Sequence, residues 1–294
     1  MNIRTNLLNR YLETWLEEDL GRGDLTESCL KNEFVSAYWI AKEDGVFCGI
    51  NLVEKIFKKL DNSISVQKLI SDGENFKKGQ ILLRVKGPAN SIAAAERTSL
   101  NLAMHLSGIA TKTASLVKEL IGTDIYLCDT RKTTPGLRIF EKYAFRCGGG
   151  KNHRFGLDDA AMIKENHIAW SNGIQNAIKS IRESGPWTAR IIVEAESAEQ
   201  ATEAAEGGAD GILLDEMSPE EIKSLIPILR KSAERKNSTR ESNAIVIEAS
   251  GVDPSQLKSY KGTGVDCIST SASVTKSKWI DLSMRFEKEA NSSN

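Results

Sequence analysis

Between Arg131 and Lys164 the chain gathers eight basic residues (Arg131, Lys132, Arg138, Lys142, Arg146, Lys151, Arg154 and Lys164) against three acids, Glu141, Asp158 and Asp159. The excess of five positive charges falls to three when the flanking Asp129 and Glu165 are counted. Arg138, Lys142 and Arg146 recur at every fourth residue, which reads as a solvated helix face. Arg131-Lys132 after an apolar run, and His153-Arg154 after Gly148-Gly149-Gly150, read differently. Glycines let a backbone approach a ligand closely, and Asn152, His153 and Arg154 supply donors to an anion. Lys164, preceded by apolar Met162 and Ile163, is either a surface chain or the last cation of the same site. Lys151 is followed by Asn152, where a P-loop would need Ser or Thr to hold magnesium. Gly262-x-Gly264 is followed by Cys267 where a dinucleotide fingerprint would carry its third glycine. Glu194 and Asp215, each at the end of an apolar run, read as salt-bridge partners or as magnesium ligands, since that ion takes one or two carboxylates plus substrate phosphate oxygens. A positive pocket facing two acids suits a ligand with separate carboxylate and magnesium-pyrophosphate ends.

These residues need a frame that converges them. Short apolar runs at 125–129, 191–196, 211–215, 244–248 and 265–269, with helical stretches between several of them, predict a parallel α/β architecture. Each run ends in a polar residue: Asp129-Thr130-Arg131-Lys132, Glu194 and Glu196, Asp215-Glu216, Glu248-Ala249-Ser250-Gly251 and Ser269-Thr270-Ser271. In an α/β barrel the carboxyl ends of the strands hold the active site, so the runs would bring these groups together. Polar residues also end strands elsewhere, but small turn formers would then be expected more often than a lysine and two lone acids. Ahead of this region, Leu7, Leu8, Tyr11, Leu12, Trp15 and Leu16 predict an amphipathic helix stopped by Gly21. Residues 34–85 predict a small α+β unit, with strands at 37–41, 46–50, 66–70 and 81–85 and a helix near 52–60. Residues 91–120 predict a long helix with a break at Gly108, leading to a second domain. Residues 232–243 read as a polar loop and 290–294 as a frayed tail.

With 294 residues, a prior of ~150 per domain predicts two domains. Hydrophobic content of 40 % and charged content of 27 % are those of a folded globular chain. The net charge of −1 offers no general attraction to nucleic acid or anionic membrane, so any polyanion site must be local. Met1 to Leu20 carries Arg4, Arg10, Glu13, Glu17, Glu18 and Asp19 where a signal peptide needs an apolar run, and nothing reaches ~18 apolar residues in a row. A cytoplasmic location is expected. The five scattered cysteines form no Cys-x-x-Cys pair and read as reduced thiols, mostly in the core.

Several segments together carry a resemblance. They are Glu18-Asp-Leu-Gly-Arg-Gly-Asp-Leu-Thr26, Glu96-Arg-Thr-Ser-Leu-Asn101, Ser107-Gly-Ile-Ala-Thr111, Asp129-Thr-Arg-Lys-Thr-Thr-Pro-Gly-Leu-Arg138, Gly148-Gly-Gly-Lys-Asn-His-Arg-Phe-Gly-Leu157, Ile163-Lys-Glu-Asn-His167, Leu213-Leu-Asp215 and Glu248-Ala-Ser-Gly251. In this order, across nearly the whole chain, they strongly resemble the quinolinate phosphoribosyltransferases, or carboxylating nicotinate-nucleotide pyrophosphorylases. The resemblance implies an N-terminal α+β open sandwich domain over residues 1–110. An incomplete α/β (TIM-like) barrel with a C-terminal helix would follow over 111–294. It further implies a homodimer, or a higher even oligomer, whose N-terminal domain caps the partner's barrel in a shared site. The implied reaction joins quinolinate and phosphoribosyl pyrophosphate, with Mg2+, giving nicotinate mononucleotide, pyrophosphate and carbon dioxide in NAD biosynthesis.

By the same resemblance, Arg131, His153, Arg154 and Lys164 bind the quinolinate carboxylates, joined by Arg97 of the neighbouring subunit. Thr130 belongs to the same substrate-binding strand end. Lys132, Glu194 and Asp215 face the phosphoribosyl pyrophosphate and its magnesium, with Glu194 and Asp215 as the metal ligands. Ser250 and Gly251 lie where the 5′-phosphate binds. Two features depart from the family pattern: Val252 replaces a usual second glycine, and Ile268-Ser-Thr-Ser-Ala-Ser-Val-Thr-Lys276 is one residue longer and lacks a glycine and a histidine. Ser271, Ser273, Thr275 and Lys276 still offer donors to a phosphate. The competing enzyme reading is a paralogue of the molybdenum-transport-associated type acting on another anionic ring compound. A non-catalytic binding protein on the same barrel is the reading from a different class, and it would be expected to lack Lys132, Glu194 or Asp215.

Overall fold

The computed structural model describes residues 3–30, 33–236 and 245–287. Contacts divide the chain into two units: residues 1–114, 143–149 and 277–294 form one, and residues 115–142 and 150–276 the other.

The first unit opens with α1 (Thr5–Leu20), whose Leu8, Leu12 and Leu16 are buried and whose end is Gly21 in a left-handed conformation. There follow β1 (Phe34–Ala41), β2 (Gly45–Val46), α2 (Ile50–Leu60), β3 (Ser65–Lys68), β4 (Asn75–Phe76), β5 (Ile81–Pro88) and α3 (Ala89–Glu119, which from Ser115 onward belongs to the second unit). The last strand of the chain, β12 (Leu282–Phe286), completes an antiparallel sheet of order β12-β1-β5-β3. Trp39 of β1, fully buried, meets Phe57 of α2 edge-on with ring centroids 6.4 Å apart, so α2 packs its apolar face on this sheet. The helix expected near 52–60 and the strands expected at 37–41, 66–70 and 81–85 are present. The strand expected at 46–50 is not: β2 ends at Val46, and Asp72 Oδ1 accepts from the Gly49 and Ile50 N–H groups, so that α2 opens at Ile50. Where a C-terminal helix was expected, the described residues form β12, paired with β1 from Ala37↔Phe286 to Ala41↔Leu282. Leu282 and Met284 are buried and Ser283 between them half-buried, as along a sheet, while Arg285 and Phe286 at the end of the strand are exposed. α3 runs unbroken through Gly108. A Cβ there would sit 2.1 Å from the Lys278 carbonyl oxygen, so glycine admits a crossing backbone rather than ending the helix.

The second unit contains β6 (Tyr126–Cys128), α4 (Arg138–Cys147, whose last turn belongs to the first unit), β7 (Ala161–Ile163), α5 (Glu165–Trp170), α6 (Ile174–Ser184), β8 (Ile191–Ala195), α7 (Ala198–Gly207), β9 (Gly211–Asp215), α8 (Pro219–Lys236), β10 (Val246–Ser250), β11 (Cys267–Ser269) and α9 (Ala272–Thr275). Its six strands are all parallel in the order β6-β11-β10-β9-β8-β7, the circuit of a barrel left open between its first two strands. A short parallel bridge, Cys128↔Lys151, adds one residue to the free edge of β6. The backbone leading into His153 is thus held like a further strand. β7 is three residues long, below the length at which apolar alternation is legible. The polar stretch expected to be a loop from 232 is helical through Lys236, and residues 237–243 and 290–294 lie outside the described residues.

Candidate active site

Pairing fixes which groups share the carboxyl rim of the barrel. Ser250 of β10 pairs with Asp215 of β9, Glu194 of β8 with Leu213, and Ser269 of β11 with Cys128 of β6. Along β8, Val193 and Ala195 are buried while Glu194 between them is half-buried, so Glu194 points to the inner side, with Asp215 two residues beyond Leu213 on the neighbouring strand. Thr130, Arg131 and Lys132 follow β6, Lys164 follows β7, and Thr270 and Ser271 follow β11. The barrel thereby brings together the residues expected at the carboxylate and phosphate ends of the ligand, apart from Arg97.

On the β6 side, a buried ionic cluster sets the shape. Asp129, 3 % exposed, accepts from Lys142 Nζ at 2.5 Å, Asn152 Nδ2 at 2.6 Å and the His153 N–H at 2.7 Å. Lys142 Nζ also donates to the His153 carbonyl at 3.0 Å. Lys142 is 1 % exposed, which corrects its reading as part of a solvated face. Burial pushes the Asp129 carboxyl up and the Lys142 ammonium down, each against the pull of its partner. The cluster ties the loop after β6 to the 152–154 segment. Arg138, also read as solvated, closes the same corner by donating from Nε to Thr133 Oγ1 and from Nη1 to the Phe155 carbonyl, both at 3.0 Å. Arg146 is exposed, its guanidinium 5.7 Å from the Tyr143 ring centre, as a surface reading predicts.

The substrate cations stand on this frame. Arg154 is 8 % exposed, with Nη1 donating to the Ala160 carbonyl at 2.8 Å. Burial, and next the positive charge of Arg131, lower its pKa, while Asp159 and Glu194 oppose the fall. Two like charges held close in a half-dry site favour a bound anion. Lys164 Nζ forms an ion pair with Glu194 Oε2. Lys132 is exposed, and its N–H donates to Thr130 Oγ1 at 3.0 Å. Gly148 serves a different end from the one expected: a Cβ there would lie 2.4 Å from the Ala110 carbonyl oxygen, so this glycine lets α4 end against α3.

On the phosphate side, Gly251 has φ +72°, and a Cβ would lie 2.7 Å from Glu216 Cγ. Glu216 itself has φ +54°, and its N–H donates to the Ser250 carbonyl at 3.1 Å. These linked left-handed residues hold the ends of β9 and β10 against each other. Ser271 precedes α9 and Lys276 follows it, exposed. Hydrogen bonds from Ser255, and then the Lys276 charge, hold the Asp253 carboxyl below the usual carboxylate range.

His153 is placed otherwise than expected. Its Nδ1 accepts the Arg154 N–H at 2.7 Å and its Nε2 lies 3.2 Å from Glu248 Oε2, so both ring nitrogens are engaged by the protein. A cavity of about 460 Å³ lies beneath the rim, lined by His153, Arg154, Glu248, Cys128 and Cys267 and reaching toward Arg190 at the start of β8. Lys132, Asp215, Ser250 and Ser271 do not line it. Asp129, Lys142 and Glu248 were absent from the expected site; only the strand-end positions of Asp129 and Glu248 pointed to them. Arg97 stands exposed on α3 in the first unit.

An open parallel barrel with cations and acids on its carboxyl rim is the frame of an enzyme for an anionic substrate. Family models describe the two parts: residues 24–107 match "Quinolinate phosphoribosyl transferase, N-terminal domain" and residues 109–285 the C-terminal domain. Over 282 residues the chain is 39 % identical to a probable nicotinate-nucleotide pyrophosphorylase [carboxylating] of Synechocystis, covering 95 % of this chain and 92 % of that one. The identity to the Bacillus subtilis protein of the same description is 39 % over 278 residues, covering 94 % and 92 %. The crystal structure of NadC from Streptococcus pyogenes superposes with a TM-score of 0.88 at 35 % identity, covering 97 % of this chain and 98 % of that one. The chain belongs to the quinolinate phosphoribosyltransferase family.

Proposed function

We propose that this chain transfers the phosphoribosyl group of phosphoribosyl pyrophosphate to quinolinate with loss of carbon dioxide, giving nicotinate mononucleotide and pyrophosphate for NAD biosynthesis. The observation that carries this reading is the juxtaposition of half-dry cations, Arg154 beside Arg131, with the acids Glu194 and Asp215 on the same rim. Arg131, Arg154 and Lys164 take the two ring carboxylates. Lys132 faces the pyrophosphate and lowers the cost of its departure, leaving the ribose open to the pyridine nitrogen. No protein nucleophile is required. Once quaternised, that nitrogen stabilises the carbanion at the adjacent carbon, so decarboxylation follows glycosyl transfer.

Glu194 and Asp215 fit magnesium as carboxylates on adjacent strands, and no group of three or more metal-binding side chains occurs among the described residues, so substrate phosphate oxygens would complete the shell. When bound, the ion supplies charge neutralisation for the pyrophosphate. Ser250, Gly251, Ser271 and Lys276 face the 5′-phosphate. We further propose a homodimer in which Arg97 of one chain completes the site of the other, supported by its exposure on a helix that otherwise buries much of its surface. No helix of the described residues is long and apolar enough to cross a membrane. A cytoplasmic location is supported by five cysteines that are all free thiols.

The test is discrimination between quinolinate and nicotinate. Removing one carboxylate strands a cation, at a cost of ~2 to 5 kcal/mol, so catalytic efficiency with nicotinate should fall roughly thirtyfold to several thousandfold. Comparable efficiency with both acids would refute the reading.

A further inference from the structure

Glu248 sits inside the barrel on β10, 5 % exposed, two residues before Ser250. Its Oε2 meets His153 Nε2 at 3.2 Å, and its Oε1 is buried with no hydrogen-bond partner among the described residues. A carboxylate in such a place needs a reason, because an apolar side chain of similar size would fill the space without desolvating a charge. The geometry at His153 supplies one. The Arg154 N–H can only donate, so His153 Nδ1 must present its lone pair; the neutral ring then carries its proton on Nε2, where Glu248 receives it.

We propose that Glu248 is a positioning residue: it pins the His153 ring as the Nε2–H tautomer, and the ring in turn holds the Arg154 backbone so that this arginine meets the quinolinate carboxylate. The connection runs from a barrel strand through one ring to the main chain of a half-dry cation. Asp129 grips the preceding peptide through the His153 N–H, and Ala160 grips the Arg154 guanidinium. Arg154 is therefore held at its peptide on one side and at its head on the other. His153 is a spacer in this arrangement, its ring donating to Glu248 rather than to the substrate. The tautomer stands on geometry alone, while the consequence for substrate rests on the proposed quinolinate reaction.

The experiment combines nitrogen-15 NMR of labelled histidine with steady-state kinetics on the full-length wild type, Glu248→Gln and Glu248→Leu. Only three histidines are present, and His153→Gln assigns the signal. His153 in the wild type is expected as Nε2–H at neutral pH. Glu248→Gln keeps an acceptor oxygen and so keeps the tautomer, with KM for quinolinate within about threefold of wild type. Glu248→Leu releases the ring and raises KM for quinolinate by about tenfold or more, the scale of losing a partner that orients a functional histidine, while KM for phosphoribosyl pyrophosphate stays within about threefold.

An Nδ1–H ring in the wild type overturns the proposal. So does a Glu248→Leu protein with unchanged tautomer and unchanged KM, or a Glu248→Gln protein as impaired as Glu248→Leu. Should Glu248→Leu fail to fold, the wild type and Glu248→Gln still decide, since an altered tautomer or a raised quinolinate KM in the glutamine variant contradicts the acceptor role. A wild type that shows the Nε2–H ring but no activity on quinolinate overturns the assigned reaction and leaves the pairing standing.

Discussion

Lys164 and Glu194 occupy each other in the free chain, although their assigned partners are different: a ring carboxylate for the lysine, magnesium and pyrophosphate for the acid. Quinolinate must therefore compete with Glu194 for Lys164. The Lys164 side chain is 44 % exposed, and solvent screening limits such a pair to about 0–1 kcal/mol. Glu194→Gln should thus bind quinolinate alone up to about fivefold more tightly while turnover collapses, because a competitor is removed together with a group of the leaving-group side. Calorimetric titration of quinolinate into the variant measures this. Weaker binding would show that Glu194 orients Lys164 for the substrate. The rim residues of this pair were legible in the sequence because a lysine or a lone acid is an unusual strand ending. The Glu248–His153 contact was not, since 95 positions separate its members and neither side chain announces the other. Lys142 was misread for a related reason. Spacing by four reports which residues share a helix face, and only the fold places Asp129 opposite that face.

Elements succeed here where local pattern and packing agree. The alternating burial of β8 and the apolar run of β9 follow from residues 191–195 and 211–215, and both strands stand where the runs predicted. β12 did not, because Leu282 to Phe286 acquires its sheet partner from β1, some 240 residues earlier in the chain, a pairing that lies beyond local pattern. Gly108 shows the same contest within a helix. By helix propensity alone, Gly108→Ala would stabilise α3 by about 1 kcal/mol. Its Cβ would instead be forced against the Lys278 carbonyl 2.1 Å away, and overpacking of this kind costs about 1–3 kcal/mol. The expected outcome is a net loss of stability in urea denaturation, with the slope unchanged. A gain would mean that the 278–279 backbone does not cross α3 as described.

At the scale of the whole molecule, the claim with most reach is that two chains share each site. Arg97→Ala and Lys132→Ala homodimers should each be nearly inactive. Unfolded together and refolded in equal amounts, they should pair at random, so that about half the dimers are mixed and one site in each mixed dimer carries both residues intact. About a quarter of all sites should then work. If Arg97 served its own chain, every site would keep one lesion, and a mixture as inactive as its parents, with exchange verified by a mass tag, would contradict the shared site. The barrel and five of its six strand ends were legible from the sequence at this scale, whereas β7 and the return of residues 277–287 to the first unit were not, because three residues carry no alternation and a chain folding back to its beginning leaves no local trace.

The central claim is that the Arg131, Arg154 and Lys164 cations and the Glu194 and Asp215 acids serve one coupled reaction, glycosyl transfer first and decarboxylation second. Release of labelled carbon dioxide from quinolinate carrying the label in its 2-carboxylate tests this most directly, measured with and without phosphoribosyl pyrophosphate in the presence of magnesium. Release is expected only when phosphoribosyl pyrophosphate is present, in step with formation of nicotinate mononucleotide and pyrophosphate. Release without the phosphoribosyl donor, or pyrophosphate formation from quinolinate with no carbon dioxide, would contradict it.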